Sequence, residues 1–319
     1  MISPAVNIEA EHRVSTERTA RIGIGTVQFG QDYAIDATEK RPDDREVARI
    51  LRLAATAGVT ILDTASTYGN AEQVLGRVLG RTQLFRIVTK TAVFNEASIR
   101  KEDSDTLLET FRSSLAALRV QSVYGLMIHK ASNLIGDGGE RLFDAMQNLK
   151  WKGQVKKIGV SVYDAAQIEN VMARFPVDLV QVPVSILDQR LIAGGQLKTM
   201  KEQGIEIHAR SVFLKGLAFA DPAKLPDHFD RVRERLQAFR NAVAASGSTP
   251  QAVALSFILD NPNIDTVLCG VTSAAQLGQI IDCISGPSAA PLPDPQRFAL
   301  TDPEILNPGR WPAFRIGVS

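Results

Sequence analysis

Short apolar segments alternate with longer amphipathic segments along most of the chain. The short segments are rich in β-branched and aliphatic residues, which favour buried strands, and the longer segments repeat their apolar residues at helical spacing. The predicted strands are residues 21–30, 59–63, 86–90, 123–128, 157–162, 179–182, 206–211 and 266–270. The predicted helices are residues 44–57, 71–80, 104–118, 140–150, 165–174, 191–203, 229–245, 250–259 and 273–284.

This alternation predicts an α/β fold in which parallel strands are joined by right-handed helical crossovers. Eight such units close into a (β/α)8 TIM barrel, and a doubly wound sheet is the second choice. A chain of 319 residues that is 45% hydrophobic can bury one large core, so we expect a single domain. We expect a flexible N-terminal arm at residues 1–20, the barrel at residues 21–286, and an irregular, proline-rich tail packed on the barrel at residues 287–319.

Charge and cysteine content argue against several classes of protein. The 36 basic and 35 acidic residues are spread along the chain, so there is no field to gather nucleic acid or an anionic membrane. Cys269 and Cys283 form no CxxC motif, which argues against a disulfide scaffold or a thiolate metal site, and we predict no metal. The first twenty residues lack an apolar signal segment, and no later run approaches membrane-spanning length, so we expect a cytoplasmic protein.

Polar residues follow three of the predicted strands. Asp63 ends one apolar segment and Tyr68 lies in the loop after it, while Lys90 and His129 each end another segment. Taken singly, each has an ordinary structural explanation: a turn cap, a packed loop aromatic, a solvated lysine or a rim histidine. In a barrel, however, the carboxyl ends of the strands meet on one face, so we interpret the four residues as one functional cluster.

The chemistry of these four side chains suggests proton donation. Tyrosine has an ordinary pKa of about 10, which a nearby lysine cation lowers, and a carboxylate behind the lysine would hold it in place. Asp63 and Lys90 are candidates for such a buried pair. Tyr68 and His129 could then supply hydrogen bonds where charge develops on a carbonyl oxygen. Side chains carry no hydride, so if that carbonyl is reduced by hydride, a redox cofactor has to supply it.

The segment Asp63-Thr64-Ala65, Tyr68-Gly69, Glu72 and Gly76 resembles the aldo-keto reductase family in residue order and spacing. This resemblance implies an NAD(P)H-dependent oxidoreductase that reduces an aldehyde or ketone, with a small-molecule carbonyl compound as substrate. It assigns Tyr68 as general acid, Lys90 as the group that tunes its pKa, Asp63 as the partner of Lys90, and His129 as the group that orients the carbonyl.

The same resemblance implies a set of residues that bind NADPH or NADH. Within it, Ser161 and Gln181 match the residues that hold the carboxamide, and the loop after residue 210 matches the diphosphate loop, where Lys215 could also reach a phosphate. Tyr33 is a possible wall of the substrate pocket. The implied cofactor-binding residues are Gly25, Thr26, Asp63, Ser161, Gln181, Arg210, Ser211, Phe213, Leu214, Gly216, Gly270, Thr272 and Gln276.

Three departures from the family pattern change the expectations. Val162 stands where the family has an asparagine, and Arg210 stands where it has an aromatic residue stacked on the nicotinamide ring. Residues 270–276 contain no cation, so we expect weak discrimination between NADPH and NADH. Two other functions stay open from the residues alone: a Schiff-base lyase using Lys90, and a non-catalytic subunit that senses nicotinamide cofactors.

Overall fold

Eight parallel strands close into a barrel in the computed structural model, which describes residues 17–32, 40–80, 84–95, 98–285 and 291–312. Each strand pairs with the next along the chain, and the last pairs with the first. The (β/α)8 prediction is therefore confirmed. The strands are β1 (Ile22–Gly25), β2 (Ile61–Asp63), β3 (Arg86–Lys90), β4 (Val123–Ile128), β5 (Val155–Ser161), β6 (Leu179–Pro183), β7 (Glu206–Arg210) and β8 (Thr266–Gly270).

The predicted first strand, residues 21–30, is wrong in its second half. β1 ends at Gly25, and Val27–Gly30 forms a short helix instead. Thr26, the residue after β1, stays bonded to β2, because both its backbone N–H and its hydroxyl donate to the carbonyl oxygen of Asp63. A Cβ atom at Gly30 would overlap the carbonyl oxygen of Tyr68, so the short helix packs directly against the loop that carries this tyrosine.

Helices cover the outside of the barrel and extend beyond it. Most agree with the predicted segments, but the predicted helix 191–203 is two helices, because the chain breaks at Gly194 and at Gly195, whose φ of 80° is left-handed. The helices are α1 (Val27–Gly30), α2 (Asp44–Thr56), α3 (Ala71–Leu79), α4 (Lys101–Leu118), α5 (Ala131–Ile135), α6 (Gly139–Trp151), α7 (Ala165–Arg174), α8 (Arg190–Ala193), α9 (Gln196–Glu202), α10 (Asp230–Ala245), α11 (Pro250–Leu259), α12 (Ala274–Ser285) and α13 (Pro303–Leu306).

The apolar core has three parts. A large cluster lies between the strands and the surrounding helices, and a small one fills the barrel interior. A third cluster joins α10 and α11 to the C-terminal segment, in which Phe298 packs edge-on against Phe239. The backbone N–H of Leu300 donates to Leu187, in the loop after β6, so this segment contacts the carboxyl end of the barrel.

The described residues include the last four positions of the predicted N-terminal arm. Residues 17–20 form a helical turn, and Arg18 in this turn pairs with Asp260 at 2.8 Å. Residues 1–16 and Tyr33 lie outside the described residues, and the division into arm, barrel and tail stays a prediction. Within the described ranges, no single helix is long and apolar enough to cross a membrane. Of the described segments, only Asp227–Ala245 and Pro250–Leu259 together reach that length and apolar character, and the chain bends by 94° between them.

Candidate active site

The four residues of the predicted cluster meet at the carboxyl end of the barrel. Asp63 ends β2, Lys90 ends β3, and His129 directly follows β4. Tyr68 lies in the loop between β2 and α3. Since the strands are parallel and in consecutive order, their ends bring these side chains to one face, as the sequence predicts.

Asp63 and Lys90 form a buried ion pair at the base of this face. The ammonium nitrogen of Lys90 lies 2.8 and 2.7 Å from the two carboxylate oxygens of Asp63, and it also donates to the carbonyl oxygen of Thr64 at 3.0 Å. Lys90 is 1% exposed and Asp63 is 4% exposed. Gln181, on the opposite side of the barrel, donates its amide N–H to Asp63 Oδ1 at 2.8 Å. The lysine is therefore fixed in position and direction.

The pair shifts the proton affinity of the groups around it. Burial lowers the pKa of Lys90, but Asp63 and then Tyr68 raise it more, so its pKa lies above the ordinary value and the side chain is a cation. Lys90 Nζ lies 5.0 Å from the centre of the Tyr68 ring. Burial raises the pKa of Tyr68, and Lys90 lowers it by less. Lys90 thus shifts the pKa of Tyr68 downwards, as expected. The pKa nevertheless lies above its ordinary value, so the expected net lowering is not present in the protein alone.

His129 stands beside the phenol as a neutral ring. The rings of Tyr68 and His129 are 5.8 Å apart and nearly perpendicular. Burial lowers the pKa of His129 to about 4, and Lys90 and Arg210 contribute to the same shift. The hydroxyl of Thr67 lies 3.1 Å from His129 Nδ1. When Thr67 donates to Nδ1, the ring proton is on Nε2, which leaves the imidazole a hydrogen-bond donor.

A cleft of about 630 Å³ opens above these residues. Most of the implied cofactor-binding residues line it: Gly25, Thr26, Asp63, Ser161, Gln181, Arg210, Ser211, Phe213, Gly216, Gly270, Thr272 and Gln276. Leu214 is the exception, because its side chain is buried in the third apolar cluster. Lys90 lies behind Asp63, outside the lining. The tertiary structure thus gathers residues from β1, β2, β5, β6, β7 and β8 around one space.

The loop after β7 has an unusual backbone along one wall of the cleft. Ser211, Leu214 and Lys215 have φ values of 59°, 45° and 50°, and Gly216 has a φ of 84°. Left-handed backbone is costly for residues with a side chain, about 1–3 kcal/mol each, and such strain concentrates at ligand sites. Successive N–H groups in this kind of turn can form an anion-binding concavity. The loop is therefore a candidate site for a diphosphate.

Comparison with known proteins places the chain in a family. The sequence model of the Aldo/keto reductase family matches residues 21–288. The chain belongs to the aldo/keto reductase family. It is similar to the aldo-keto reductase YhdN of Bacillus subtilis (24% identical; 81% of this chain and 83% of YhdN covered). It is also similar to the NADH-specific methylglyoxal reductase of Escherichia coli (23% identical; 83% and 90% covered).

The fold agrees with this assignment. The holo form of an aldo-keto reductase from Bacillus halodurans superimposes with a TM-score of 0.69 at 22% identity, covering 87% of this chain and 90% of that one. As a member of the family, the chain is an NAD(P)-dependent oxidoreductase of the kind that acts on carbonyl groups.

Arg210 places a cation in the cleft, and the position of its guanidinium is set by contacts with Val162 and Tyr163. The guanidinium carbon lies 4.2 Å from the centre of the Tyr163 ring, and Nη2 donates to the carbonyl oxygen of Val162 at 3.0 Å. A cation over an aromatic face is attracted by the ring quadrupole. Val162 and Tyr163 thus hold the guanidinium through a backbone oxygen and a ring, at the place where the family pattern has an asparagine.

Two features test whether the cleft fits a nicotinamide dinucleotide. The side-chain oxygen of Gln28, which lines the cleft beside Gly270, is buried without a hydrogen-bond partner, so it can accept from a ribose hydroxyl or an amide of a ligand. At Gly25, a Cβ atom would meet nothing closer than 3.8 Å, which leaves the end of β1 open to a ligand. Hydroxyls, an amide and a diphosphate are the polar groups that such a dinucleotide offers.

Several lining residues were missed from the sequence: Val27, Gln28, Tyr163, Val212, Phe219, Gln251, Leu268, Val271, Gln279 and Ile280. Gln251 and Gln279 lie on helices and give no sequence signal beyond being polar. Tyr163 could have been found, because it lies only two residues beyond the carboxyl end of β5. Among the described residues, no group of three or more His, Cys, Asp or Glu side chains is placed to hold a metal.

Proposed function

We propose that the protein reduces an aldehyde or ketone to an alcohol with a reduced nicotinamide cofactor, and that Tyr68 is the general acid. The observation that carries this proposal is the buried Asp63–Lys90 pair directly beside Tyr68 and the neutral His129 at the base of the cleft. A bound nicotinamide supplies the hydride, which no side chain can provide. The residues of the chain supply the proton and the orientation.

In this mechanism Tyr68 and His129 hold the carbonyl oxygen of the substrate between them. As hydride reaches the carbonyl carbon, the oxygen gains negative charge, and hydrogen bonds from the phenol and the imidazole stabilise it. Tyr68 then transfers its proton to that oxygen. Lys90 favours this transfer because its cation stabilises the phenolate that remains, and Asp63 keeps the cation in place.

The cofactor would be held by the residues that line the cleft. Gly25, which pairs with Asp63, and Ser161 lie at strand ends that line the cleft and would hold the nicotinamide end of the cofactor. The loop from Ser211 to Gly216 would take the diphosphate, with Lys215 as a nearby cation. Gln181 has a second role, since its amide nitrogen is bonded to Asp63 and only the remaining part of the amide could meet a carboxamide.

The geometry disfavours the two alternatives. A Schiff-base lyase needs a neutral lysine open to substrate, whereas Lys90 is buried, cationic and bonded to three oxygen atoms. A sensing subunit without turnover needs no general acid, whereas all four residues of the predicted mechanism are assembled here. Two observations support a small carbonyl substrate: the volume of the cleft, and the sequence similarity of the chain to a methylglyoxal reductase. Cytoplasmic location stays a prediction.

A panel of carbonyl compounds tests the proposal. Aromatic aldehydes, 2-oxoaldehydes, ketones and sugars would be offered with NADH and with NADPH, and turnover would be followed as loss of the reduced cofactor's absorbance. We expect consumption with at least one class, and Tyr68→Phe should slow it by about 10²- to 10⁴-fold. Binding of cofactor without turnover of any substrate would instead support the sensing subunit. Covalent trapping of substrate on Lys90 by borohydride would support the lyase.

A further inference from the structure

The cleft has two chemically different ends. The inner end lies over the barrel at Asp63, Tyr68, His129 and Ser161, and the outer end lies between the β7 loop and the last helices of the barrel. The outer end is lined by Phe219, Gln251, Thr272, Gln276, Gln279 and Ile280. If the nicotinamide binds at Tyr68, as the proposed function requires, the adenosine half of the dinucleotide has to occupy the outer end.

Neutral groups dominate the outer end. Among the described residues that line the cleft, the cationic side chains are Arg210 and Lys215. Arg210 is tied to Val162 and Tyr163 near the inner end, and Lys215 belongs to the strained loop that we assign to the diphosphate. The outer end itself presents the amides of three glutamines and the hydroxyl of Thr272. These groups can bond to ribose hydroxyls and to adenine, but they cannot neutralise an additional phosphate.

Three backbone donors at the start of α12 are already bonded to acceptors of the protein. The N–H of Thr272 donates to Gln276 Oε1 at 2.7 Å, and the N–H of Gln276 donates to the Ser273 hydroxyl at 3.2 Å. Between them, the N–H of Ala274 donates to Glu46 Oε1 at 2.7 Å. Glu46 comes from α2, so a carboxylate from a remote helix occupies the place where an incoming anion would otherwise find a free N–H.

The Glu46 carboxylate lies next to the outer end through its hydrogen bond to Ala274. Its only charged contact among the described residues is Arg49, at 3.3 Å, and the Arg49 side chain is 73% exposed, so the compensation is screened by water. Thr272, two residues before Ala274, and Gln276, two residues after it, both line the cleft. A phosphate on the adenosine ribose would therefore approach a fixed carboxylate without a matching cation.

We infer that Glu46 is a cofactor-specificity residue that selects NADH over NADPH, by repelling the 2'-phosphate and by occupying the N–H of Ala274 at the N-terminus of α12. This goes further than the weak discrimination expected from the missing cations alone. The inference rests on the proposed function in one respect: the nicotinamide has to bind at Tyr68, so that the adenosine half lies at the outer end.

Equilibrium binding tests this inference without turnover. Dissociation constants for NADH and NADPH would be measured by the fluorescence of the bound reduced cofactor, for the wild type and for Glu46→Gln. The glutamine keeps an oxygen acceptor for Ala274 and removes the charge. We expect the wild type to bind NADH about tenfold more tightly than NADPH. In Glu46→Gln that ratio should fall by about five- to tenfold, through tighter binding of NADPH alone.

Glu109→Gln is the matched control. Glu109 is an exposed carboxylate on α4, and its substitution changes the net charge by the same amount. It should leave the ratio at the wild-type value. Salt gives a second test that needs no variant: raising the ionic strength should narrow the wild-type ratio, because it screens the repulsion.

A wild-type preference for NADPH, equal affinities that do not respond to salt, or an unchanged ratio in Glu46→Gln would each overturn the role of Glu46. Failure of the wild type to bind either cofactor would be a different result, because it would remove the proposed function itself.

Discussion

The ammonium nitrogen of Lys90 lies within 2.8 Å of both carboxylate oxygens of Asp63, and water reaches neither side chain to any useful extent. A buried ion pair of this kind adds little net stability, because both charges lose their hydration. It does fix one cation beside Tyr68, at 5.0 Å from the ring centre. The pair is better explained by the chemistry of the phenol than by the stability of the barrel.

Breaking the pair should destabilise the protein strongly. Lys90→Met leaves the Asp63 carboxylate buried without its cation, and we expect the free energy of unfolding in urea to fall by about 3–5 kcal/mol. The double variant with Asp63→Asn should recover most of this loss, because no buried charge remains. Lys198→Met, which breaks an exposed pair with Glu202, should change the free energy of unfolding by less than about 1 kcal/mol. Equal losses in Lys90→Met and Lys198→Met would contradict this account.

The raised pKa of Lys90 fixes the sign of its pH dependence. A cation whose pKa is higher in the folded protein than in the unfolded chain contributes stability that is complete below the ordinary value of 10.5. That contribution is lost as the pH rises through the folded-state pKa. The difference in unfolding free energy between wild type and Lys90→Met should therefore be constant at neutral pH and shrink only in strong alkali.

Removing the phenol should affect catalysis but not binding. We expect Tyr68→Phe to lower kcat by about 10²- to 10⁴-fold, with the dissociation constant of the cofactor close to that of the wild type. Tyr124→Phe is the control, because Tyr124 donates to Glu206 at 2.6 Å at the other end of the barrel. It should cost about 1 kcal/mol of stability and leave kcat unchanged. Undiminished turnover in Tyr68→Phe would exclude this residue as the acid.

His129 should act as a neutral donor throughout the physiological range. Its pKa of about 4 means that the ring stays uncharged as the pH falls from 8 to about 5. Because that pKa is below the ordinary value of 6.5, the stability gained from the neutral ring is complete above 6.5 and is lost as the pH falls through about 4. We expect His129→Asn to lower kcat/KM by about 10²-fold at every pH, without changing the shape of the profile.

The pH profile of kcat/KM from about 5 to 8 checks this prediction for both enzymes. An ionisation near 6.5 that is present in the wild type and missing in His129→Asn would show that the imidazole titrates during catalysis.

Arg210 should distinguish the two redox forms of the cofactor. The oxidised nicotinamide ring carries a positive charge and the reduced ring does not, so a fixed guanidinium in the cleft disfavours the oxidised form. In Arg210→Ala the ratio of the dissociation constants, oxidised over reduced, should fall by about three- to tenfold. Lys215→Ala is the matched control. Removing a cation from the diphosphate loop should weaken the binding of the oxidised and reduced cofactor alike, and so leave the ratio unchanged. A ratio that does not respond to Arg210→Ala would contradict the prediction.

The sequence determined the barrel and the four residues at its mouth. Apolar periodicity records which residues are buried, and in a parallel barrel the last residue of each strand lies on the same face. Asp63, Lys90 and His129 therefore come together whatever the details of the loops. Tyr68 follows because the loop that carries it is short.

Only the tertiary structure decided how these groups are held and charged. Gln181 bonds to Asp63 across the barrel, Arg210 lies over Tyr163, and Glu46 caps a helix 228 residues away. Such contacts depend on strand register and on the packing of separate helices, which a local pattern of residues does not contain. The net direction of the Tyr68 pKa was also beyond the sequence, because burial and the charge of Lys90 act against each other and only their distances and depth decide which is larger.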